Sequence, residues 1–415
     1  MESKVKDMGL AKQGRLKIEW AEAHMPVLAQ IRERFKKERP LAGLTVSMAL
    51  HIEAKTAALA KVIRDGGAKV AITGCNPLTT QDDTAAGLAM EDGINVFTWR
   101  GETKQEYYDN LNTVLDFKPD ITIDDGCDLV TLVHTKRRDE LEKIIGGCEE
   151  TTTGINRLKV MSEQGKLEYP MMDVNDAHTK YLFDNRYGTG QSTIDGILSA
   201  TNLVLAGKNF VVVGYGWCGR GVAMRAAGMG CKVIVTEVDV IRALEAAMDG
   251  FRVMPLIEAA EVGDIFVTTT GNKHVMSAQH IKKLKDGAIL SNAGHFDNEI
   301  DKDFLSKCKK REVRENVEEF IVGGKKIYLL ADGRLVNLVA GQGHPAEIMD
   351  MSFANQALGV EYLVKNKGAL EPGVYKIPEA LDRNIAALKL QSMGISIDEL
   401  TQEQRAYMNE WREGT

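Results

Sequence analysis

Cysteine is scarce in this chain and badly spaced for structural chemistry. The 415 residues include six, Cys75, Cys127, Cys148, Cys218, Cys231 and Cys308, with no CxxC pair and no zinc-finger spacing. That excludes a disulfide framework and a structural zinc module. The eight histidines form no HExxH or comparable short ligand pattern, so no catalytic metal is expected. No apolar run approaches the roughly 18 residues a membrane span needs, and the opening MESKVKDMGLAKQG has no hydrophobic signal core. The expectation is a cytoplasmic protein without membrane association. Net charge is −7 with both signs interspersed, so the basic surface that nucleic acid selects is missing and no nucleic-acid partner is expected. The short runs Lys136-Arg137-Arg138 and Lys309-Lys310-Arg311 read as solvated surface. Internal repeats and low-complexity segments are also lacking. What remains is a globular chain, 44% apolar, large enough for two or three domains. Any redox chemistry must come from an organic cofactor.

The stretch from Asn209 to Glu237, NFVVVGYGWCGRGVAMRAAGMGCKVIVTE, names that cofactor. A strand-like apolar run enters a turn with Gly214, Gly216 and Gly219, continues through an Ala/Met-rich helical segment, and ends in a second strand closing on Glu237. This is a βαβ unit with a dinucleotide fingerprint. Gly214 allows the tight turn, Gly216 lets backbone approach the pyrophosphate, and Gly219 lets helix pack closely on strand. Glu237 accepts from ribose hydroxyls and repels a 2′-phosphate, which selects NAD over NADP; Arg242 nearby is the opposing feature.

Upstream, residues 1–40 have a helical mixture of charged and apolar residues, broken at Pro40. Strands are expected at Leu44–Leu50, Lys69–Thr73, Ile94–Trp99 and Asp120–Ile123, with helices at Ala54–Asp65, Asp83–Glu91 and Thr103–Phe117. Alternation of this kind predicts a parallel sheet covered on both faces. Ligands of such sheets lie beyond the strands' carboxyl ends, where His51, Cys75-Asn76 and Asp124-Asp125-Gly126 occur. Downstream, a second domain begins near Gly190, with further strands at Phe251–Met254, Ile265–Thr269 and Ala288–Asn292. Asp332-Gly333 reads as a hairpin turn, and helical patterns return from Phe353 and after Pro378.

Between Gly146 and Gly190 lie polar clusters that a connector does not need. Glu150 with Thr151–Thr153 is either a helix cap or a ligand-binding group. Lys180 and Asp184, four apart, are either a surface ion pair worth about 0.3–0.5 kcal/mol or a lysine held by a carboxylate beside a substrate hydroxyl. The glycine-flanked His295 and His344 stand near strand ends, where packing alone does not call for histidine.

Together these clusters resemble the S-adenosylhomocysteine hydrolase family. The motifs that carry the resemblance are CNPLTTQDD, DDGCDL, EETTTG, NDAHTKYLFDN, GYGWCGRG, VTTTG, AGHFDNEID, RLVNL and GHP, and it extends from about Leu44 to the C-terminal helix. The resemblance implies an α/β fold of two parallel-sheet domains plus a small helical C-terminal segment. Residues 1–180 and 345–375 would form the substrate domain, 181–344 the Rossmann NAD domain, and 376–415 a dimerisation segment, within a homotetramer. It implies a redox-neutral hydrolysis: a nucleosidyl-homocysteine is oxidised at its ribose 3′-hydroxyl, which acidifies C4′ so that homocysteine is eliminated, water adds, and the ketone is reduced again. Oxidation comes first because an alkyl thioether is a poor electrophile and its thiolate a poor leaving group.

By the same resemblance, Lys180 takes the 3′-hydroxyl proton, positioned by Asp184 and Asn185, and Glu150 binds the ribose hydroxyls. His51 and Asp125 are acid and base near C4′ and C5′, with His295 on the ribose and homocysteine side and His344 near the purine. Thr151, Thr152, Thr153, Asn185, Asn272 and Asn337 join Gly214, Gly216, Gly219 and Glu237 in holding NAD.

Three features depart from the family pattern. Thr189 replaces a cysteine expected near the nicotinamide. The chain ends at Glu413-Gly414-Thr415 without the Lys- and Tyr-bearing tail, which predicts faster NAD exchange. After His51 it reads Ile52-Glu53-Ala54-Lys55-Thr56, where many members have a Thr and then a Gln or Glu facing adenine. Lys55 only donates and ionised Glu53 only accepts, a pair that suits hypoxanthine and points to S-inosyl-L-homocysteine over S-adenosyl-L-homocysteine. The alternative is a solvated or structural Glu53–Lys55 pair with the base read by a backbone group. A 2-hydroxy acid dehydrogenase and an inactive NAD-binding regulator are the more distant readings.

Overall fold

The computed structural model of the chain describes residues 1–412. Its first half supplies strands β1 (Lys4–Val5), β2 (Thr45–Ala49), β3 (Lys69–Thr73), β4 (Ile94–Thr98), β5 (Ile121–Asp124), β6 (Gly146–Glu149) and β7 (Pro170–Asp173). The middle supplies β8 (Asn209–Val213), β9 (Lys232–Thr236), β10 (Arg252–Val253), β11 (Ile265–Thr268), β12 (Ala288–Asn292), β13 (Lys309–Arg314), β14 (Val317–Val322) and β15 (Lys325–Leu330). The chain then returns to add β16 (Gly373–Lys376) beside β7.

Two eight-stranded sheets result, ordered β1-β4-β3-β2-β5-β6-β7-β16 and β10-β9-β8-β11-β12-β15-β14-β13. The first is parallel throughout, and the second is parallel except where β13, β14 and β15 pair antiparallel. Central strands such as Phe210-Val211-Val212-Val213 are buried at every position, as strands covered on both faces must be. Apolar clusters flank each sheet on both faces. The helix Glu379–Ser392 buries Ile385 in the core of the first sheet. Among the described residues no helix is long and apolar enough to cross a membrane.

Strand order positions the site. In the first sheet it reverses between β2 and β5, and in the second between β8 and β11. Each reversal opens a crevice at the strands' carboxyl ends, the usual ligand position in such sheets. His51 follows β2 and Asp125 follows β5; Gly214 follows β8 and Thr269 follows β11. All four line one cavity of about 1030 Å³.

Several local expectations need correction. Residues 1–40 are not one helical run: Lys4–Val5 is an edge strand, and Pro26 starts a second helix, Pro26–Glu38, after Ala11–Ala23. Proline is favoured at a helix start because its missing N–H is not needed there. β6, β7 and β13 to β16 were not expected; β6, for one, reads GGCE, without the β-branched residues that mark strands. Asp332-Gly333 is a short 3₁₀ turn with Asp332 left-handed at φ 52°, while the hairpins turn at Glu315-Asn316 and Gly323-Gly324. Leu335–Leu338 is mostly one helical turn, Val336–Val339, not strand. The tail expectation at Glu413-Gly414-Thr415 lies outside the described residues.

Candidate active site

On the first domain's side, Asp125 occupies the centre of a group formed from four separate turns. Its Oδ2 lies 3.5 Å from His51 Nε2 and 3.8 Å from Cys75 Sγ, and its Oδ1 lies 3.5 Å from His295 Nδ1. His295 arrives from the turn after β12 in the other sheet, so the two domains share this group. Burial drives the His51 pKa down to about 4 despite the opposing pull of Asp125. His51 is therefore a neutral imidazole at physiological pH.

The turn that presents Asp125 is held from below. The fully buried Glu149 accepts from the backbone N–H groups of Gly126 (2.8 Å), Cys127 (3.0 Å) and Thr151 (3.0 Å). Glu299 does the same in the second sheet, accepting from Thr270 N (3.0 Å) and Gly271 N (2.7 Å). Sequence reasoning passed over both; Glu149 is the first residue of the polar EETTTG cluster and was overshadowed by Glu150.

Beside them is a second group. Lys180 and Asp184 are not a surface pair: the two are 4% and 3% exposed. Lys180 Nζ donates to Asn185 Oδ1 at 2.8 Å and lies 3.6 Å from both Asp184 Oδ2 and Glu150 Oε1. Asp184 also contacts His344 Nδ1 at 2.8 Å and accepts from Ser352 Oγ at 2.7 Å. Burial disfavours the Lys180 ammonium, but Asp184, Glu150 and Asp125 together outweigh it and raise its pKa. For Asp184 the penalty of burial is likewise outweighed, by Lys180 and His344, and its pKa is lowered. Burial pushes Glu150 up to about 8 even with Lys180 opposing. The expected capping role of Thr151 is half met: it is the N-cap of Thr152–Glu163, with no side-chain capping bond.

Ser352 and Gln356 belong to the long helix Ala346–Lys365 and were not foreseen. Gln356 Nε2 donates to Glu150 Oε2 at 2.6 Å, and both helix residues are fully buried. Two polar residues one turn apart inside an apolar helical run were the available signal.

The cofactor side satisfies the dinucleotide fingerprint. Gly214 has φ +99°, a conformation that L side chains rarely adopt. A Cβ on Gly219 would lie 2.1 Å from the carbonyl oxygen of Gly214. The helix Trp217–Gly228 starts directly after this turn, so its unpaired N–H groups face the cavity. Glu237 is held by Tyr215 N at 2.7 Å and Val238 N at 2.6 Å. Asn337 Oδ1 is buried on the cavity wall without a hydrogen-bond partner, a vacancy that a carboxamide N–H satisfies. Thr151, Thr152, Thr153, Asn185 and Asn272 line the same cavity. These residues fit NAD.

Family models for the S-adenosyl-L-homocysteine hydrolase (residues 2–144) and for its NAD binding domain (residues 185–343) both match. The chain belongs to the S-adenosyl-L-homocysteine hydrolase family. An S-inosyl-L-homocysteine hydrolase of Methanocaldococcus jannaschii is 64% identical over 99% of both chains. One from Methanococcus maripaludis is 62% identical over the full length of both. An adenosylhomocysteinase of Saccharolobus solfataricus is 58% identical, again over the full length of both.

Against that family background, two departures take shape. Thr189 Oγ1 lies 3.6 Å from Cys218 Sγ and 3.3 Å from His344 Nε2, so a thiol from the Gly-rich turn stands next to the position where one was expected. His344 itself is seated against Asp184 and lines the cavity. Glu53 and Lys55 are buried rather than solvated. Lys55 Nζ donates to Glu53 Oε2 (2.7 Å) and to the carbonyl of Gln342 (3.0 Å). Glu53 and Thr56 line the cavity and Lys55 stands behind them.

Proposed function

We propose that this enzyme hydrolyses the thioether of a nucleosidyl-homocysteine to the nucleoside and L-homocysteine through a 3′-keto intermediate, with S-inosyl-L-homocysteine preferred. The observation that carries the reading is the buried Lys180, held by Asn185 and Asp184 and facing Glu150, in one cavity with the Gly214–Gly219 turn. A dehydrogenase of 2-hydroxy acids has no use for that quartet. A silent NAD-binding regulator has no use for the His51–Asp125–His295 group.

NAD, when bound, supplies the reversible oxidation and reduction at C3′. Lys180 accepts the 3′-hydroxyl proton and later returns it. Its ammonium is stabilised by neighbouring carboxylates, so to act as a base it first passes a proton to a neighbour, and Glu150, 3.6 Å away with its pKa raised by burial to about 8, is the acceptor. Glu150, poised near neutrality, binds the ribose hydroxyls as donor or acceptor. His51, neutral and aimed at Asp125, exchanges the proton that leaves C4′ or enters the departing thiolate. A closed site excludes bulk water until the thiolate has left, which protects the ketone.

The purine preference rests on Glu53 facing the cavity with Lys55 behind it. A carboxylate there accepts from hypoxanthine N1–H and repels the N1 lone pair of adenine, a mismatch worth about 1–3 kcal/mol. Burial raises the Glu53 pKa, and a protonated Glu53 would donate to adenine N1; S-adenosyl-L-homocysteine is accordingly the second reading. The ratio of kcat/KM for the two substrates tests the choice. Hydrolysis of neither would remove the proposed function altogether.

We further infer a substrate domain of residues 1–180 and 345–375, an NAD domain of 181–344, and a C-terminal segment that joins copies into a homotetramer. In support, Val238, Val240, Ile241 and Met248 near the cofactor turn and Tyr407, Met408 and Trp411 near the C-terminus are all more than half exposed. Apolar patches of this kind mark interfaces. Light scattering reads the oligomer directly, and a monomer would refute it.

A further inference from the structure

Lys180 sits on a helix of a single turn, His178–Tyr181, which runs through Phe183 into the π-helical turn Asp184–Gly188 that carries Asp184 and Asn185. A single turn is too short to be stable on its own. Its first N–H groups need acceptors from outside the helix, and the residue at the N-cap is Ala177, whose side chain offers none. The Ala177 carbonyl accepts from Lys180 N and Tyr181 N, both at 3.0 Å. The N–H groups of His178 and Thr179 are left over.

Asp382 takes both, from 204 residues further along the chain than His178. Its Oδ2 accepts from His178 N at 2.7 Å and its Oδ1 from Thr179 N at 2.9 Å. The Thr179 hydroxyl also donates to Oδ1, and it accepts in turn from Asn355 Nδ2 at 2.8 Å. Asp382, Thr179 and Asn355 are all buried. The missing cap is thus delivered by the helix Glu379–Ser392, which is itself anchored by the buried Ile385 and by Lys389 donating to Asp350 at 2.9 Å. Every described residue after Ser392 is exposed, so this helix is where the C-terminal segment, expected only to join copies, reaches the chemistry.

We propose that Asp382 is a positioning residue for Lys180. It does not line the cavity; it fixes the turn from which the ammonium reaches Asn185 at 2.8 Å and Asp184 and Glu150 at 3.6 Å. Without it two buried N–H groups lose their acceptor and the turn frays at the residue next to Lys180. A misplacement of about 1 Å costs on the order of a hundredfold in rate. The kinetic part of this inference rests on the proton-transfer role proposed for Lys180, and the capping part does not.

The test uses the full-length, NAD-loaded enzyme. Asp382→Asn keeps the side-chain shape but has one acceptor oxygen in place of two. Expected is a fall in kcat of about tenfold to a hundredfold with KM nearly unchanged. In the Lys180→Met background the same substitution should cost nothing further, because a residue that acts through Lys180 has nothing left to position. Ala177→Ser, which adds a cap within the chain, should return most of the lost kcat to Asp382→Asn. Parent kcat in Asp382→Asn, an equal loss with and without Lys180, or recovery of thermal stability without kcat on adding Ala177→Ser overturns the proposal. Turnover at the parent rate by Lys180→Met would instead refute the role proposed for Lys180; faster amide hydrogen exchange across residues 178–181 in Asp382→Asn would still show Asp382 holding the turn.

Discussion

Gln356 donates its amide N–H to Glu150 at 2.6 Å, so a residue beyond the cofactor domain in sequence sets a carboxyl of the first sheet. The bond is buried at both ends. Gln356→Leu leaves Glu150 Oε2 without a donor, as Oε1 already is, a loss of about 1–3 kcal/mol. Because that bond favours the charged form of Glu150, its loss should move the pH profile of kcat/KM to higher pH as well as lower its maximum. An unchanged profile with an equal loss of stability would mark Gln356 as structural only.

Lys180→Met should reduce kcat by about 10²–10⁴-fold, the range for a positioned proton-transfer group. Asp184 keeps His344 and Ser352 as partners, so the fold should survive, and circular dichroism checks that. Turnover at the parent rate would remove Lys180 from the chemistry.

Glu150 also predicts a pH dependence of stability. Its pKa is raised from 4.5 to about 8 in the folded protein. Between those values the folded state holds a proton that the unfolded chain has released. The stability from this group is complete below 4.5 and is lost as pH rises through about 8. Glu150→Gln has no such proton, so the stability of the parent relative to the variant should fall from about pH 5 to about pH 8. Urea midpoints for both proteins at the two pH values measure it, and a rising difference would contradict the assignment.

If Glu53 faces the purine as an ionised acceptor, S-inosyl-L-homocysteine should be preferred by about tenfold to a hundredfold in kcat/KM. Glu53→Gln can donate or accept and should bring the two substrates within a few-fold. An adenosyl preference of about tenfold or more in the parent enzyme would sink the ionised reading.

Much of this was legible in the chain because function here sits at strand ends. The strands around Val46, Ile72, Val96 and Ile123 are short, mostly apolar stretches between helical patterns, and parallel topology then carries His51 and Asp125 to one crevice. Cys75 stands beyond a strand end in the sequence, but its approach to Asp125 was not legible, since it depends on the strand order β3-β2-β5. Glu149 and Glu299 were hidden because they bind backbone N–H groups, a role with no side-chain signature. β6 was hidden because Gly146 and Gly147 read as a loop. The burial of Glu53 and Lys55 was hidden because a charged pair two residues apart ordinarily means solvent; only the approach of Gln342 from the other domain closes it off.

The most direct test of the central claim is solvent exchange at C4′. With inosine or S-inosyl-L-homocysteine in deuterium oxide, the account predicts deuterium at C4′ of the recovered nucleoside and no net accumulation of reduced cofactor. Recovered nucleoside with its C4′ hydrogen intact, alongside steady accumulation of reduced cofactor, would contradict it.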